Sequence, residues 1–248
     1  MRPFLFLGTR AEDAVAQQEY DAVLAGTGLH PDDLLRVRLE QGPLGEIDLD
    51  SWSGIILGGG PFNVSDPEDA KSPVQRRVEA ELHDLATRVV AADVPFFGAC
   101  YGIGVLGRLA GGVVDRTYGE AIGALPVRLT AAGVGDPLLG HLPATFSAFL
   151  GHKEAVARLP EGAVLLASTE TCPVHAFRLG CNVYATQFHP ELDAQALCDR
   201  VDAYSAHGYY APHEQESLKA AAREALVTEP VRLLARFVEL YADLGSTP

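Results

Sequence analysis

A cysteine placed between glycines is the first feature of this sequence that could do chemistry. Cys100 follows the apolar run 94–97 and lies between Gly98 and Gly102. A sharp strand-to-helix turn of this kind, a nucleophile elbow, exposes the side chain at its tip, and flanking glycines let neighbouring backbone come close. We therefore interpret Cys100 as a nucleophile, with the thiolate as the attacking group.

A histidine and a carboxylate later in the chain could complete this chemistry. His189 and Glu191 are separated by Pro190 in the segment 187–191. A histidine can move a proton between a nucleophile and a leaving group, and a neighbouring carboxylate can fix its tautomer. The sequence therefore predicts a catalytic triad of Cys100, His189 and Glu191.

An acyl-transfer site also needs donors for the developing oxyanion. The run 54–61 is an apolar strand that ends in three consecutive glycines and a proline. Backbone N–H groups of such a loop, and of the residue that follows the nucleophile, are the usual donors. We predict that Gly60 and Tyr101 supply them.

These blocks, in this order, resemble the class I (triad-type) glutamine amidotransferases, among them the amidotransferase domain of GMP synthase. The likeness rests on the elbow 98–102, the segment 188–191, the glycine loop 54–61 and the segment 111–114. It runs from about the first strand to Glu191. The resemblance implies a stand-alone glutaminase domain that releases ammonia from glutamine through a thioester.

The resemblance also implies which residues hold the amino-acid head of the substrate. The segment 149–154 is similar to the strand end that grips glutamine in the family. Gly104 stands where most members carry a glutamine, which removes one side-chain contact. The predicted substrate-binding residues are Gly59, Gly104, His152, Lys153 and Glu154.

Three functions stay open at this point. The first is hydrolysis of the γ-carboxamide of glutamine, with ammonia passed to a separate synthetase chain, because no P-loop follows the domain in this sequence. The second is a γ-glutamyl peptide or amine hydrolase with the same residues, which Gly104 favours. The third is a non-catalytic regulatory binding module of the same fold.

Short apolar runs alternate with helical patterns in the first hundred residues, which indicates βαβ units. The resemblance implies an open, mostly parallel, doubly wound (flavodoxin-like) α/β sheet with helices on both faces. From Gly111 onward shorter runs predict an added region of antiparallel or mixed strands. We predict one amidotransferase-like domain over residues 1–195 and a helical extension over 196–248 that packs on it.

The composition of the chain indicates which classes of partner are not expected. The chain has 248 residues and a formal net charge of −14, which argues against nucleic acid as a partner. No run approaches the ~20 apolar residues that span a bilayer, so no membrane is expected. The four cysteines show no C-x-x-C spacing, which favours a reducing, cytoplasmic setting. We expect no cofactor and no metal, and interpret His207, His213 and Glu214 as solvated tail residues.

Overall fold

The computed structural model describes residues 2–205 and 208–242, and its centre is a nine-stranded sheet in the order β2-β1-β3-β4-β11-β10-β9-β6-β7. Strands β5 and β8 form a separate antiparallel pair. The strands are β1 (Phe4–Gly8), β2 (Leu34–Arg38), β3 (Gly54–Leu57), β4 (Phe96–Ala99), β5 (Val113–Asp115), β6 (Glu120–Leu129), β7 (Thr145–His152), β8 (Ala155–Arg158), β9 (Val164–Ser168), β10 (Ala176–Leu179) and β11 (Val183–Thr186).

One half of the large sheet is parallel. Strands β2, β1, β3, β4 and β11 run side by side in the same direction. Strands β1, β3, β4 and β11 are buried along their whole length, as expected for parallel strands covered on both faces. Their carboxyl ends therefore meet at one edge, where open α/β sheets bind ligands.

Helices cover both faces of the sheet. The helices are α1 (Asp13–Thr27), α2 (Pro73–Ala92), α3 (Tyr101–Gly107), α4 (Ala131–Val134), α5 (Ala194–Ala203), α6 (Gln215–Glu224) and α7 (Arg232–Tyr241). Residues of α2 and α3 share one apolar core with the sheet, and residues of α1 and α7 share the core on the other face. The doubly wound α/β fold predicted from the sequence is thereby confirmed.

The other half of the sheet is antiparallel. Strands β11, β10, β9, β6 and β7 pair antiparallel in succession, and β6 with β7 is a long hairpin that ends at His152. The prediction of antiparallel or mixed strands after Gly111 is confirmed. Strand β11 joins the two halves, because it pairs parallel with β4 and antiparallel with β10.

The tail packs on this domain through α7. The Phe237 ring contacts Phe4 and Phe97 edge to face, at centroid distances of 6.1 and 5.8 Å. Helix α5 instead follows the segment that carries His189, so it lies close to the sheet edge where ligands bind. Among the described residues, none of the helices combines the length and apolar character needed to cross a membrane.

Candidate active site

Cys100 stands at the junction between β4 and α3. Its backbone has φ 50° and ψ −90°, a conformation that L-residues rarely adopt and that places the side chain at the tip of the turn. Gly98 and Gly102 meet behind it, since a Cβ at Gly98 would lie 3.0 Å from the Gly102 Cα. The Cys100 N–H donates to the Thr186 carbonyl over 2.8 Å, which ties the turn to β11.

His189 follows β11, and its ring lines the same cavity as Cys100, whose sulfur is close enough to raise the pKa of the imidazole. The His189 Nδ1–H donates to Glu191 Oε1 over 2.8 Å. Arg200 of α5 donates from Nη2 to the same oxygen over 2.9 Å, and its Nη1 lies 3.0 Å from His189 Nδ1. All three predicted triad residues are thus brought together at one sheet edge.

The charges around His189 favour its protonated form, the imidazolium. Burial lowers the pKa of His189, but the Glu191 carboxylate and the Cys100 sulfur outweigh it and raise the value to about 9. Burial likewise opposes ionisation of Glu191, yet His189 and Arg200 hold the pKa of its carboxyl well below the usual range. At neutral pH the histidine is therefore charged and can give up a proton.

The glycine loop after β3 approaches the same point. A Cβ at Gly59 would lie 2.5 Å from His189 Cε1, and one at Gly60 would lie 2.0 Å from Thr9 Oγ1. No side chain fits at either position without movement of the neighbours, so both positions require glycine. Gly60 lines the cavity beside Cys100, and Tyr101 directly follows the nucleophile. The backbone groups predicted as oxyanion donors therefore flank Cys100.

Gly104 lies against the loop that follows these glycines, and is not among the residues that line the cavity. A Cβ there would be 3.0 Å from Glu154 Oε1 and 3.3 Å from Val64 Cγ2. The buried Glu154 carboxylate accepts hydrogen bonds from the backbone N–H groups of Val64 (2.9 Å) and Ser65 (2.8 Å). The space beside Gly104 is thus filled by protein, and Glu154 fixes the loop.

His152 belongs to a second buried cluster. Its Nδ1–H donates to the Glu154 carbonyl over 2.8 Å, and its Nε2 lies 2.8 Å from Glu120 Oε2. His175 Nε2 lies 2.6 Å from the same oxygen. Together with Cys172, these residues offer ligand atoms within 4.8 Å of one another, a donor set of the kind that binds zinc. The distances from His152 Nε2 and His175 Nε2 to Glu120 Oε2 are those of hydrogen bonds.

Lys153, His213 and Glu214 are not among the residues that line the cavity with Cys100. Lys153 packs its Nζ over the Tyr209 ring, 4.4 Å from the ring centroid. His213 and Glu214 are exposed, and Glu214 Oε2 accepts from the Ala211 N–H over 2.6 Å. His207 lies outside the described residues.

Two buried arginines of this site were missed by sequence reasoning. Arg10 donates from Nε to Glu19 Oε1 over 2.9 Å and from Nη1 to the Tyr204 hydroxyl over 2.9 Å. Arg200 also reaches Glu19 Oε1, at 3.4 Å. Arg10 could have been found, because it lies two residues after the end of β1, at the ligand-binding edge of the sheet. Arg200 gave no signal, since an arginine on a helix is usually solvated.

A cavity opens beside Cys100 and His189. Its other walls come from the glycine loop, from β6 and β7, and from α5 with the tyrosines that follow it. Its lining residues are Arg10, Gly60, Pro61, Cys100, Ile122, Leu150, Gly151, His189, Leu192, Leu197, Arg200, Val201, Tyr204 and Tyr209.

Comparison with known families agrees with this site. The model of the family "Glutamine amidotransferase class-I" matches residues 35–223, so the chain belongs to that family. The match extends beyond position 195, into the tail. A GMP synthase of Leifsonia xyli subsp. xyli is 35% identical over 143 residues, which are 56% of this chain and 26% of that protein. The chain thus spans about a quarter of the length of that relative.

Two further similarities have fuller coverage. Gamma-glutamyl peptidase 3 of Arabidopsis thaliana is 30% identical over 175 residues, which are 68% of this chain and 66% of that protein. The crystal structure of a glutamine amidotransferase from Thermotoga maritima superposes with a TM-score of 0.70 at 19% identity, over 96% of this chain and 99% of that chain. The structural similarity to the Thermotoga maritima protein shows that the two chains share a fold.

Proposed function

We propose that this protein is a cysteine amidohydrolase that cleaves the γ-carboxamide of glutamine or of a related γ-glutamyl compound through a thioester on Cys100. The observation that carries the proposal is the placement of Cys100 and His189 beside one cavity, with His189 hydrogen-bonded to Glu191. Membership of the glutamine amidotransferase family supports the same chemistry.

The reaction begins with attack of the Cys100 thiolate on the amide carbonyl carbon. The oxyanion that forms accepts hydrogen bonds from the backbone N–H groups of Gly60 and Tyr101, and loss of one such donor typically costs ~10²–10³ in rate. His189, charged at neutral pH, protonates the leaving nitrogen as the C–N bond breaks. Cys100 then carries the γ-glutamyl group as a thioester.

Water completes the cycle. His189, neutral after it has given up its proton, takes a proton from a water molecule that attacks the thioester carbonyl. The C–O bond forms, the C–S bond breaks and the carboxylic acid leaves. Glu191 keeps the imidazole in the tautomer with hydrogen on Nδ1, and Arg200 holds Glu191 in place.

With glutamine as substrate, the product would be ammonia, used by a separate synthetase chain. The GMP synthase relatives favour this version, because they are named as glutamine-hydrolysing enzymes. The second version releases an amine or amino acid from a γ-glutamyl conjugate. The similarity to gamma-glutamyl peptidase 3 favours it.

A substrate panel tests the proposal. Purified protein is incubated with glutamine and with γ-glutamyl dipeptides, and released ammonia and amino acids are measured, with Cys100→Ala as the control. We expect turnover that depends on Cys100. Lack of turnover on every compound, together with failure of Cys100 to react with an electrophilic glutamine analogue, would contradict the proposal and favour a non-catalytic binding module.

A further inference from the structure

The cavity beside Cys100 has a distinct leaving-group side. His189 must protonate the nitrogen that departs, so the leaving group has to lie next to the His189 ring. The residues packed around that ring are Arg200 of α5 and, beyond the glycine loop, Arg10. The substrate atoms that leave with the nitrogen would therefore face α5 and the end of β1.

This side of the cavity is largely apolar. The cavity lining includes Leu192, Leu197 and Val201 from the segment 192–201, and Ile122 and Leu150 from β6 and β7. A departing ammonia would leave such a wall without a contact. An apolar substituent on the leaving amine would fill it and gain roughly 1.5–3 kcal/mol if it were the size of a leucine side chain.

A positive group also faces this space. The Arg10 side chain is 4% exposed, and its Nε and Nη1 are held by Glu19 and Tyr204. Its third nitrogen, Nη2, has no hydrogen-bond acceptor among residues 2–205 and 208–242. An ideal Cβ on Gly59 would lie 2.9 Å from Nη2 and 2.5 Å from His189 Cε1, so this nitrogen lies close to the catalytic ring. Arg10 lines the cavity, and a guanidinium nitrogen that has no protein acceptor there fits a carboxylate.

We propose that this side of the cavity is a subsite for a leaving amino acid, with Arg10 on its carboxylate and the α5 wall on its apolar side chain. The preferred substrate is then a γ-glutamyl conjugate of an apolar amino acid rather than glutamine itself. This inference rests on the proposed amidohydrolase function and specifies its substrate class.

Four compounds test the subsite. They are γ-glutamyl-leucine, γ-glutamyl-isopentylamine, which lacks the leaving-group carboxylate, 4-aminobutanoyl-leucine, which lacks the glutamyl α-carboxylate, and glutamine. The value of kcat/KM is measured for each with the wild-type protein and with Arg10→Gln. The exposed Arg128→Gln serves as the matched control, because it makes the same chemical change on the outer surface.

We expect wild-type protein to favour γ-glutamyl-leucine over γ-glutamyl-isopentylamine by roughly 10- to 100-fold, the effect of one charge-assisted hydrogen bond. Arg10→Gln should bring that ratio close to one, while Arg128→Gln should keep it. A ratio taken on one preparation does not depend on the folded fraction, so partial unfolding of Arg10→Gln would not obscure the result. Arg10→Lys, which keeps the charge, should retain part of the preference.

Several outcomes would overturn the inference. If glutamine is cleaved as efficiently as γ-glutamyl-leucine in a reaction that needs Cys100, the amidohydrolase function stands and the subsite is wrong. Arg10→Gln could instead lower only the ratio of kcat/KM for γ-glutamyl-leucine to that for 4-aminobutanoyl-leucine. This result would place Arg10 on the glutamyl α-carboxylate and overturn the subsite. Absence of turnover on all four compounds would overturn the function and the subsite together.

Discussion

Two regions of this molecule each bring a cysteine, a histidine and a glutamate together, and only one of these two cysteines lines a cavity. The proposed catalytic cluster is Cys100, His189 and Glu191. The second cluster is Glu120, His152, Cys172 and His175. In both, a histidine nitrogen lies 2.8 Å from a carboxylate oxygen. The residue types and the short distances therefore do not distinguish them.

Access to the thiol does distinguish them. Cys172 is 0% exposed, and burial raises its pKa to about 11, so its thiolate is strongly disfavoured. Its Sγ donates to the Val174 carbonyl over 3.5 Å. Cys100 is half-buried, stands at the tip of the elbow and lines a cavity. A nucleophile needs an approach for its substrate, and only Cys100 has one.

The carboxylates also differ in their partners. Glu191 orients one histidine and is itself held by Arg200. Glu120 is surrounded by two histidines and by the hydroxyls of two threonines, which donate to its Oε1. The His175 ring stacks on the Phe188 ring with 6.4 Å between the ring centroids, and Phe188 is the residue directly before His189 in the sequence. The second cluster thus supports the strand ends that position the first, which gives it a structural role.

The largest difference in kcat should be between the alanine variants of the two cysteines. Cys100→Ala removes the nucleophile and should lower kcat by roughly 10⁴-fold or more. Cys172→Ala should keep kcat within a few-fold and lower the free energy of unfolding by on the order of 1 kcal/mol. Both are measured as product release and by denaturant unfolding. Equal losses of activity in the two variants would remove the distinction between the clusters.

Glu191→Gln should have the next largest effect. The amide keeps the shape of the side chain but no longer stabilises the imidazolium, so kcat should fall by roughly 10²- to 10⁴-fold. The loss should appear in the first-order rate of thioester formation under single-turnover conditions. A loss of less than tenfold in a variant that melts cooperatively would show that Glu191 does not act through His189.

Glu120→Gln should affect stability more than catalysis. Burial opposes ionisation, but hydrogen bonds from His152 and His175 hold the pKa of this carboxyl well below its usual range. The amide keeps one acceptor oxygen but loses the charge-assisted hydrogen bonds from two histidines and two hydroxyls, and this change should cost roughly 1.5–3 kcal/mol of unfolding free energy. The exposed Glu161→Gln is the control. If kcat of the folded protein fell as far as in Glu191→Gln, the second cluster would have a catalytic role.

The pH profile gives the smallest but most specific test. The His189 pKa is raised to about 9, above its ordinary 6.5, so kcat/KM should decline as the pH rises through about 9 and the general acid is lost. The same ion pair should stabilise the fold fully below pH 6.5, and this contribution should vanish as the pH rises through about 9. In Glu191→Gln the alkaline limb should move to lower pH. An unchanged limb would assign it to another group.

Much of the fold could be predicted from the sequence because it depends on local patterns. The apolar residues of 73–90 recur at spacings of three or four, a pattern that predicts the helix observed as Pro73–Ala92, and its N-cap Ser72 accepts from the Gln75 N–H over 3.0 Å. The apolar runs before Gly58 and Cys100 are the buried strands β3 and β4. The double role of β11 was not evident, since which neighbours a strand pairs with depends on chain segments far away in sequence.

The substrate contacts illustrate the same limit. The sequence placed Gly104, His152 and Glu154 near the substrate through resemblance. In the structure, Glu154 holds the backbone of Val64 and Ser65, and His152 contacts Glu120. Each of these partners is at least 30 positions away in sequence, so spacing along the chain gave no sign of them.

The sequence by itself determined the placement of Cys100 between glycines, the alternation of strands and helices and the order of the motifs, because these follow from residue type, glycine placement and periodicity within short windows. The tertiary structure alone decided which of two Cys, His and Glu clusters is open to a substrate, and that Arg10 and Arg200 surround His189. Burial, charge pairing and access arise only when distant segments pack together, and these properties determine whether the same side chains act as a structural support or as a catalytic site.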